Sequence, residues 1–289
     1  MKRGKPLNAS ALAAHPLPPI VDGDKETKGR ILVIAGSRDV PGAALLAARA
    51  AMRAGAGRLR IATVESIAPH LAMAMPEAMV VALAEHRDGG FARSAVGKIA
   101  ELGASVDAVV AGPGMSRGAT CRRIADVLLQ SNARLALDAA LLHSLSPLED
   151  EELDRDSLPV LLPHSGELAA LLDSDEAQVA AAPVDSGLRA ARFYRSVVLV
   201  KGVTSHVVHP VGQAWTFTGG APGLGVSGSG DVLAGIVGGL LARGADPLAA
   251  LLWGVWLHGK AGEALAESVG PIGFLAREIA DQVPALLPR

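Results

Sequence analysis

Cysteine is almost missing from this chain. Cys121 is the only one in 289 residues, so no internal disulfide can form and paired-cysteine zinc spacing is excluded. That scarcity fits a reducing compartment. Aromatic residues make up 3% of the sequence, which leaves few rings to stack on a base. Neither an HExxH helix nor a Walker A lysine box occurs. Long apolar runs are also missing, although mean hydropathy is +0.34. Stretches such as "PLAALLWGVWLHG" stop short of the roughly 18–20 residues a spanning helix needs. The basic N-terminus carries an apolar stretch that Asn8 and Ser10 interrupt, a poor signal peptide. Lysine and arginine number 27 against 29 acidic residues, with no dense basic block and a net charge of -2. Nucleic acid and an anionic membrane surface are therefore poor partners. Alanine and glycine account for the hydropathy, and a soluble, cytoplasmic protein is expected.

What is present is a regular alternation. Short apolar runs such as "RILVIAG", "RLRIATV", "EAMVVAL", "DAVVAG", "RLALD", "LPVLLP" and "SVVLVKG" read as strands. Between them stand Ala-rich, helix-forming stretches such as "PGAALLAARAAMRAGAG" and "ATCRRIADVLLQS". "SHVVHP" and "AWTFTG" predict a hairpin, and three helical stretches close the chain. The pattern predicts an α/β fold with a mostly parallel central sheet and helices on both faces. Residues 1–29 read as an N-terminal arm or a poorly ordered lead-in, and residues 30–289 as a single domain. In such a sheet ligands bind beyond the carboxyl ends of the strands. The residues there are Gly36-Ser37, Gly112-Pro113-Gly114, Asp138, Pro163-His164, Lys201-Gly202 and a Gly-Ser-Gly-Asp turn.

That turn, Gly228-Ser229-Gly230-Asp231, opens a helix that is apolar nearly all round and hence buried. A buried helix start leaves N–H groups unsatisfied. An anion such as a phosphate satisfies them and gains from the helix dipole. Gly228 and Gly230 let the backbone approach it closely. Two readings of the turn stand side by side. Asp231 accepts a proton from a hydroxyl held beside the phosphate, worth about 10²–10⁴-fold in rate, or Ser229 or Asp231 simply caps the helix, worth roughly 0.5–2 kcal/mol.

Taken together, "AGSRDVPGAALLAARAAMRAGAG", "VVAGPGM", "LALDAALL", "LLPHSGELAALL", "VVLVKGVTSHVV" and "PGLGVSGSGDVLAGIVGGLLARG" resemble, in order, the motifs of the NAD(P)H-hydrate dehydratases of the ribokinase-like superfamily. The likeness covers nearly all of residues 28–289. It implies a ribokinase-like three-layer α/β/α fold. It also implies a repair lyase that dehydrates the S epimer of NADHX or NADPHX, driven by phosphoryl transfer from ADP, or ATP, with Mg²⁺. Carried over by residue, Ala43, Ala44, Gly114 and His164 would line the hydrated nicotinamide site. Lys201, Gly202, Val203, Thr204 and Ser205 would hold the nucleotide, together with Gly228, Ser229 and Gly230, and Asp231 would be the base. Ser229 and Ser205 stand where Thr is usual, Ser165 where Pro is usual and Leu162 where Thr is common. A homo-oligomer, a tetramer, is expected, with a separate epimerase as a metabolic partner.

Glu167, three residues after His164, is reminiscent of a Mg²⁺-organising carboxylate acting through water, or it complements the helix dipole. Asp138 binds a phosphate-linked metal or caps the next helix. The stripe around Trp253 and Trp256 reads as core or subunit interface, and Cys121 as inert. The competing activity is an ATP-dependent small-molecule kinase of the same superfamily, of the hydroxyethylthiazole or hydroxymethylpyrimidine type, which would use the same turn. A nucleotide-binding scaffold without catalysis is the alternative of another class; an intact Asp231 and lysine loop speak against it.

Overall fold

The computed structural model describes residues 4–20, 27–148 and 157–288; residues 1–3 and 21–26 of the expected arm lie outside these. In chain order the elements are β1 (Lys5–Pro6), α1 (Ala9–Ala13), β2 (Arg30–Ile34), α2 (Gly42–Arg53), β3 (Arg58–Val64), α3 (Ala68–Ala74), β4 (Ala78–Leu83), α4 (Val96–Gly103), β5 (Ala108–Ala111), α5 (Ala119–Leu129) and β6 (Arg134–Leu137). They continue as β7 (Val160–Leu161), α6 (Ser165–Leu171), α7 (Glu176–Ala181), α8 (Pro183–Phe193), β8 (Val197–Val200), β9 (Ser205–Val208), β10 (Ala214–Phe217), α9 (Ser229–Ala242), α10 (Pro247–Ser268) and α11 (Ala276–Leu286). Two helices, α7 and α8, follow closely because Pro183 has no N–H and starts α8 instead of continuing α7.

The strands form one sheet in the order β1-β10-β9-β8-β7-β6-β5-β2-β3-β4. Every neighbouring pair is parallel except the two that β9 makes, so the expected hairpin is β9–β10. Ile31 to Ile34, Val109 to Ala111 and Leu135 to Leu137 have no exposed surface. Successive side chains on a strand point to opposite faces, so full burial of consecutive residues means that both faces are covered.

The apolar start of the last third packs as α9 against α2. A Cβ on Gly235 would stand 2.2 Å from the Ala47 carbonyl oxygen, and one on Gly239 would stand 2.4 Å from that of Ala51. Glycine at these two positions is what lets the backbones meet. Leu46 lies correspondingly against Gly228, so the two helices run parallel and both begin at the same end of the sheet.

Over its described residues the N-terminal segment is packed, not loose. β1 pairs with β10, and the Leu7 N–H extends the pairing to the Thr216 carbonyl at 2.8 Å. Asn8 caps α1, Leu7 and Leu12 are buried, and the Trp253 indole donates to the His15 carbonyl at 2.9 Å. Trp256 meets Phe217 edge to face at 5.8 Å, so this part of the α10 stripe packs within the chain. Among the described residues no helix is long and apolar enough to cross a membrane.

Candidate active site

The site forms where the parallel strands end. Gly228, at φ 88°, turns the chain into α9. The Ser229 N–H donates to the Val226 carbonyl at 3.2 Å and the Val232 N–H to that of Gly228 at 3.1 Å. The N–H groups of Gly230 and Asp231, in the first turn, have no carbonyl within the helix to bind and are the donors offered to a ligand.

Asp231 follows directly. Burial pushes its carboxyl pKa up to about 6; the negative charge of Asp138 adds to this and the Lys201 ammonium opposes it. Asp138, at the end of β6, is 2% exposed and accepts from the Ala139 N–H at 2.8 Å. Its Oδ1 also pairs with Lys201 Nζ at 2.7 Å. Burial still raises the Asp138 pKa, against that pairing, and nearby Glu167 raises it further. Lys201 comes from the end of β8, where its N–H binds the Pro163 carbonyl at 2.9 Å. Its ammonium lies 3.7 Å from the point a Cβ on Gly230 would occupy, beside the start of α9.

His164 and Glu167 form a capping box on α6. His164 Nδ1 accepts from the N–H groups of Gly166 (3.1 Å) and Glu167 (3.4 Å), and Glu167 Oε2 accepts from the His164 N–H at 3.0 Å. A neutral ring that accepts at Nδ1 carries its proton on Nε2. The imidazole is 58% exposed, which leaves that N–H edge accessible. Asp138 and Glu167 can therefore serve capping as well as chemistry.

Gly114, at φ 62°, closes the turn after β5 onto the first turn of α2. A Cβ there would lie 2.6 Å from Ala43 Cβ and 2.7 Å from the Val40 carbonyl oxygen. Because α2 and α9 start together, Ala43, Ala44 and Gly114 stand at the same end of the sheet as Asp231. From the lysine loop, only Lys201 reaches the charged cluster. Gly202, Val203 and Thr204 are exposed, and the Ser205 hydroxyl turns back to the Gly202 carbonyl at 3.3 Å.

One residue escaped the sequence reading. His258 on α10 is half-buried, and its Nε2 lies 3.0 Å from Ser229 Oγ. A lone histidine in the apolar stretch "LLWGVWLHG" was the available signal, and it was absorbed into the core stripe. Among the described residues no group of three or more His, Cys, Asp or Glu could hold a metal ion.

The model of the NAD(P)H-hydrate dehydratase family matches residues 31–285. The chain belongs to this family. It is 49% identical over 288 residues to the ADP-dependent (S)-NAD(P)H-hydrate dehydratase of Xanthomonas campestris, covering 99% of this chain and 97% of that one. Its structure is similar to that of the ADP/ATP-dependent NAD(P)H-hydrate dehydratase of Bacillus subtilis co-crystallised with ATP/Mg²⁺, with a TM-score of 0.87, 27% identity and coverage of 99% and 98%. A ribokinase-like superfamily protein of Enterococcus faecalis shares the fold at a TM-score of 0.81 and 24% identity, covering 98% of this chain and 94% of that one. The fold is thus ribokinase-like, as the resemblance implied, and family membership favours the dehydratase over the small-molecule kinase of the hydroxyethylthiazole or hydroxymethylpyrimidine type.

Proposed function

We propose that this protein is an ADP-dependent (S)-NAD(P)H-hydrate dehydratase, with Asp231 as its base. The observation that carries the role of Asp231 is its place. A carboxylate with a pKa of about 6 sits in the first turn of α9, beside free backbone donors and the Lys201 ammonium. Hydroxyl is a poor leaving group and phosphate a good one. The terminal phosphate of ADP is transferred to the C6 hydroxyl of the hydrate, and Asp231 takes the hydroxyl proton. Departure of phosphate from C6, with loss of a proton from C5 to solvent, then forms the ring double bond of NADH or NADPH; AMP is the other product. A base of this pKa is largely ionised at neutral pH yet still able to accept a proton, which suits general-base work.

The N–H groups of Gly230 and Asp231 and the ammonium of Lys201 balance charge on the transferring phosphoryl group. Ala43, Ala44, Gly114 and the Nε2–H edge of His164 bound the hydrated nicotinamide, while Gly202 to Ser205 hold the rest of the nucleotide. Mg²⁺ keeps several waters and needs only one or two carboxylates beside substrate phosphates. The residues present fit that demand, with Glu167 acting through water and Asp138 nearby, and the ion would supply charge neutralisation on the phosphates. Residues 30–289 act as one domain. The protein works in the cytoplasm as a homo-oligomer, with a separate epimerase supplying the S epimer.

The test is direct. Purified protein is incubated with NADH hydrate and Mg²⁺, with ADP or ATP added separately, and reduced-nicotinamide absorbance is followed. A rise that depends on nucleotide supports the dehydratase and names its donor. No rise with either nucleotide, in protein that binds them, refutes it.

A further inference from the structure

His258 approaches the start of α9 from α10, and its ring touches one residue twice. Nε2 lies 3.0 Å from Ser229 Oγ and 3.2 Å from the Ser229 carbonyl oxygen. A carbonyl oxygen only accepts, so the contact at 3.2 Å requires the ring proton on Nε2. Burial holds the His258 pKa down to about 4, so the imidazole stays neutral and carries that one N–H at working pH. The N–H is thus shared between the carbonyl and Oγ of Ser229. With Oγ accepting from the ring, the hydroxyl keeps its own proton for another acceptor. Ser229 is the first residue of α9, between Gly228 and Gly230, at the turn where the phosphate is placed.

We propose that His258 is a positioning residue: it holds Ser229 so that the serine hydroxyl donates to the nucleotide phosphate bound at the start of α9. This rests on reading that turn as the phosphate site. His258 itself touches neither substrate nor nucleotide and transfers no proton. It converts a flexible hydroxyl into a directed donor, adding a side-chain hydrogen bond to the backbone N–H groups of Gly230 and Asp231. The bland alternative is that the contact merely ties α10 to α9.

A double-mutant cycle separates the two. Ser229→Ala, His258→Leu, the double variant and His258→Gln, whose amide N–H can take the place of the ring N–H, are compared. The readouts are kcat and KM in the dehydratase assay, Kd for ADP by calorimetry without hydrate, and Tm. A hydrogen bond to a charged phosphate corresponds to about ten- to hundredfold. His258→Leu and Ser229→Ala should each lose that factor in kcat/KM for ADP and weaken ADP binding in the same direction. The double variant should be no worse than Ser229→Ala, and His258→Gln should recover most of the loss. Losses that multiply in the double variant, or a full loss on Ser229→Ala with none on His258→Leu, overturn the proposal while leaving the phosphate site standing. If Ser229→Ala is fully active and binds ADP normally, this proposal falls while the phosphate site, which rests on the Gly230 and Asp231 N–H groups and on Lys201, stands; that site falls if the wild type itself binds no ADP. Should His258→Leu fail to fold, His258→Phe, which keeps a ring in place but has no N–H to donate, takes its place in the cycle.

Discussion

Replacing Asp231 with asparagine tests the site through stability and activity together. The carboxyl pKa rises from an ordinary 3.8 to about 6 on folding, chiefly by burial. A difference of about two units corresponds to roughly 3 kcal/mol at 1.36 kcal/mol per unit. The sign follows from proton counting. Between about pH 4 and pH 6 the folded protein holds this proton and the unfolded chain has released it, so the wild type loses stability as pH rises through that window. The amide of Asp231→Asn carries no charge and escapes the loss. A carboxylate in the first turn of a helix gains about 0.3–1 kcal/mol from the helix dipole, which offsets part of the gain. The net expectation is that Asp231→Asn is about 2–3 kcal/mol more stable than wild type at pH 8 and about equal to it at pH 4. Denaturant melts at both pH values measure this. Turnover should fall about 10²–10⁴-fold while ADP binding survives. In the wild type, kcat/KM should rise with pH through about 6, as Asp231 gives up its proton. A variant that is less stable than wild type at pH 8, or one that keeps full turnover, would refute the reasoning.

Two further outcomes follow from the same cluster. Lys201→Met leaves the buried Asp138 carboxylate without its cation, and removing one member of a buried pair costs about 3–5 kcal/mol. Thermal melts should show that deficit shrinking as pH is lowered, because Asp138 can then take up a proton; a deficit independent of pH would count against the pairing. Gly114→Ala places a Cβ 2.6 Å from Ala43 Cβ at φ 62°, so the turn and the first turn of α2 must shift apart. The expected cost is about 1–3 kcal/mol by denaturant melts, with KM for the hydrate raised more than KM for ADP; equal KM values would argue that this wall does not border the hydrate.

The alternation of β-branched runs with Ala-rich helical stretches was legible because it is local. Each strand and helix carries its own periodicity, and a parallel sheet buried on both faces is the arrangement that such a pattern allows. The placing of glycine and polar residues just beyond the strand ends was equally local. It pointed to Asp231, Gly114, His164 and Lys201 from the sequence alone, and the ordered resemblance of six motifs added the family. The packing of residues 4–20 was not legible in the sequence because its anchors, the pairing of β1 with β10 and the contact of Trp253 with His15, reach more than two hundred residues along the chain. Tertiary structure alone decided which charges meet. Lys201 pairs with Asp138 across 63 positions, His258 holds Ser229 across 29, and α2 starts beside α9 because Gly235 and Gly239 admit its carbonyls. Periodicity reports which face of an element is buried and not which distant residue it is buried against. The raised pKa of Asp231 therefore belongs to the fold, since it comes from water excluded and charges gathered by segments that are far apart in sequence.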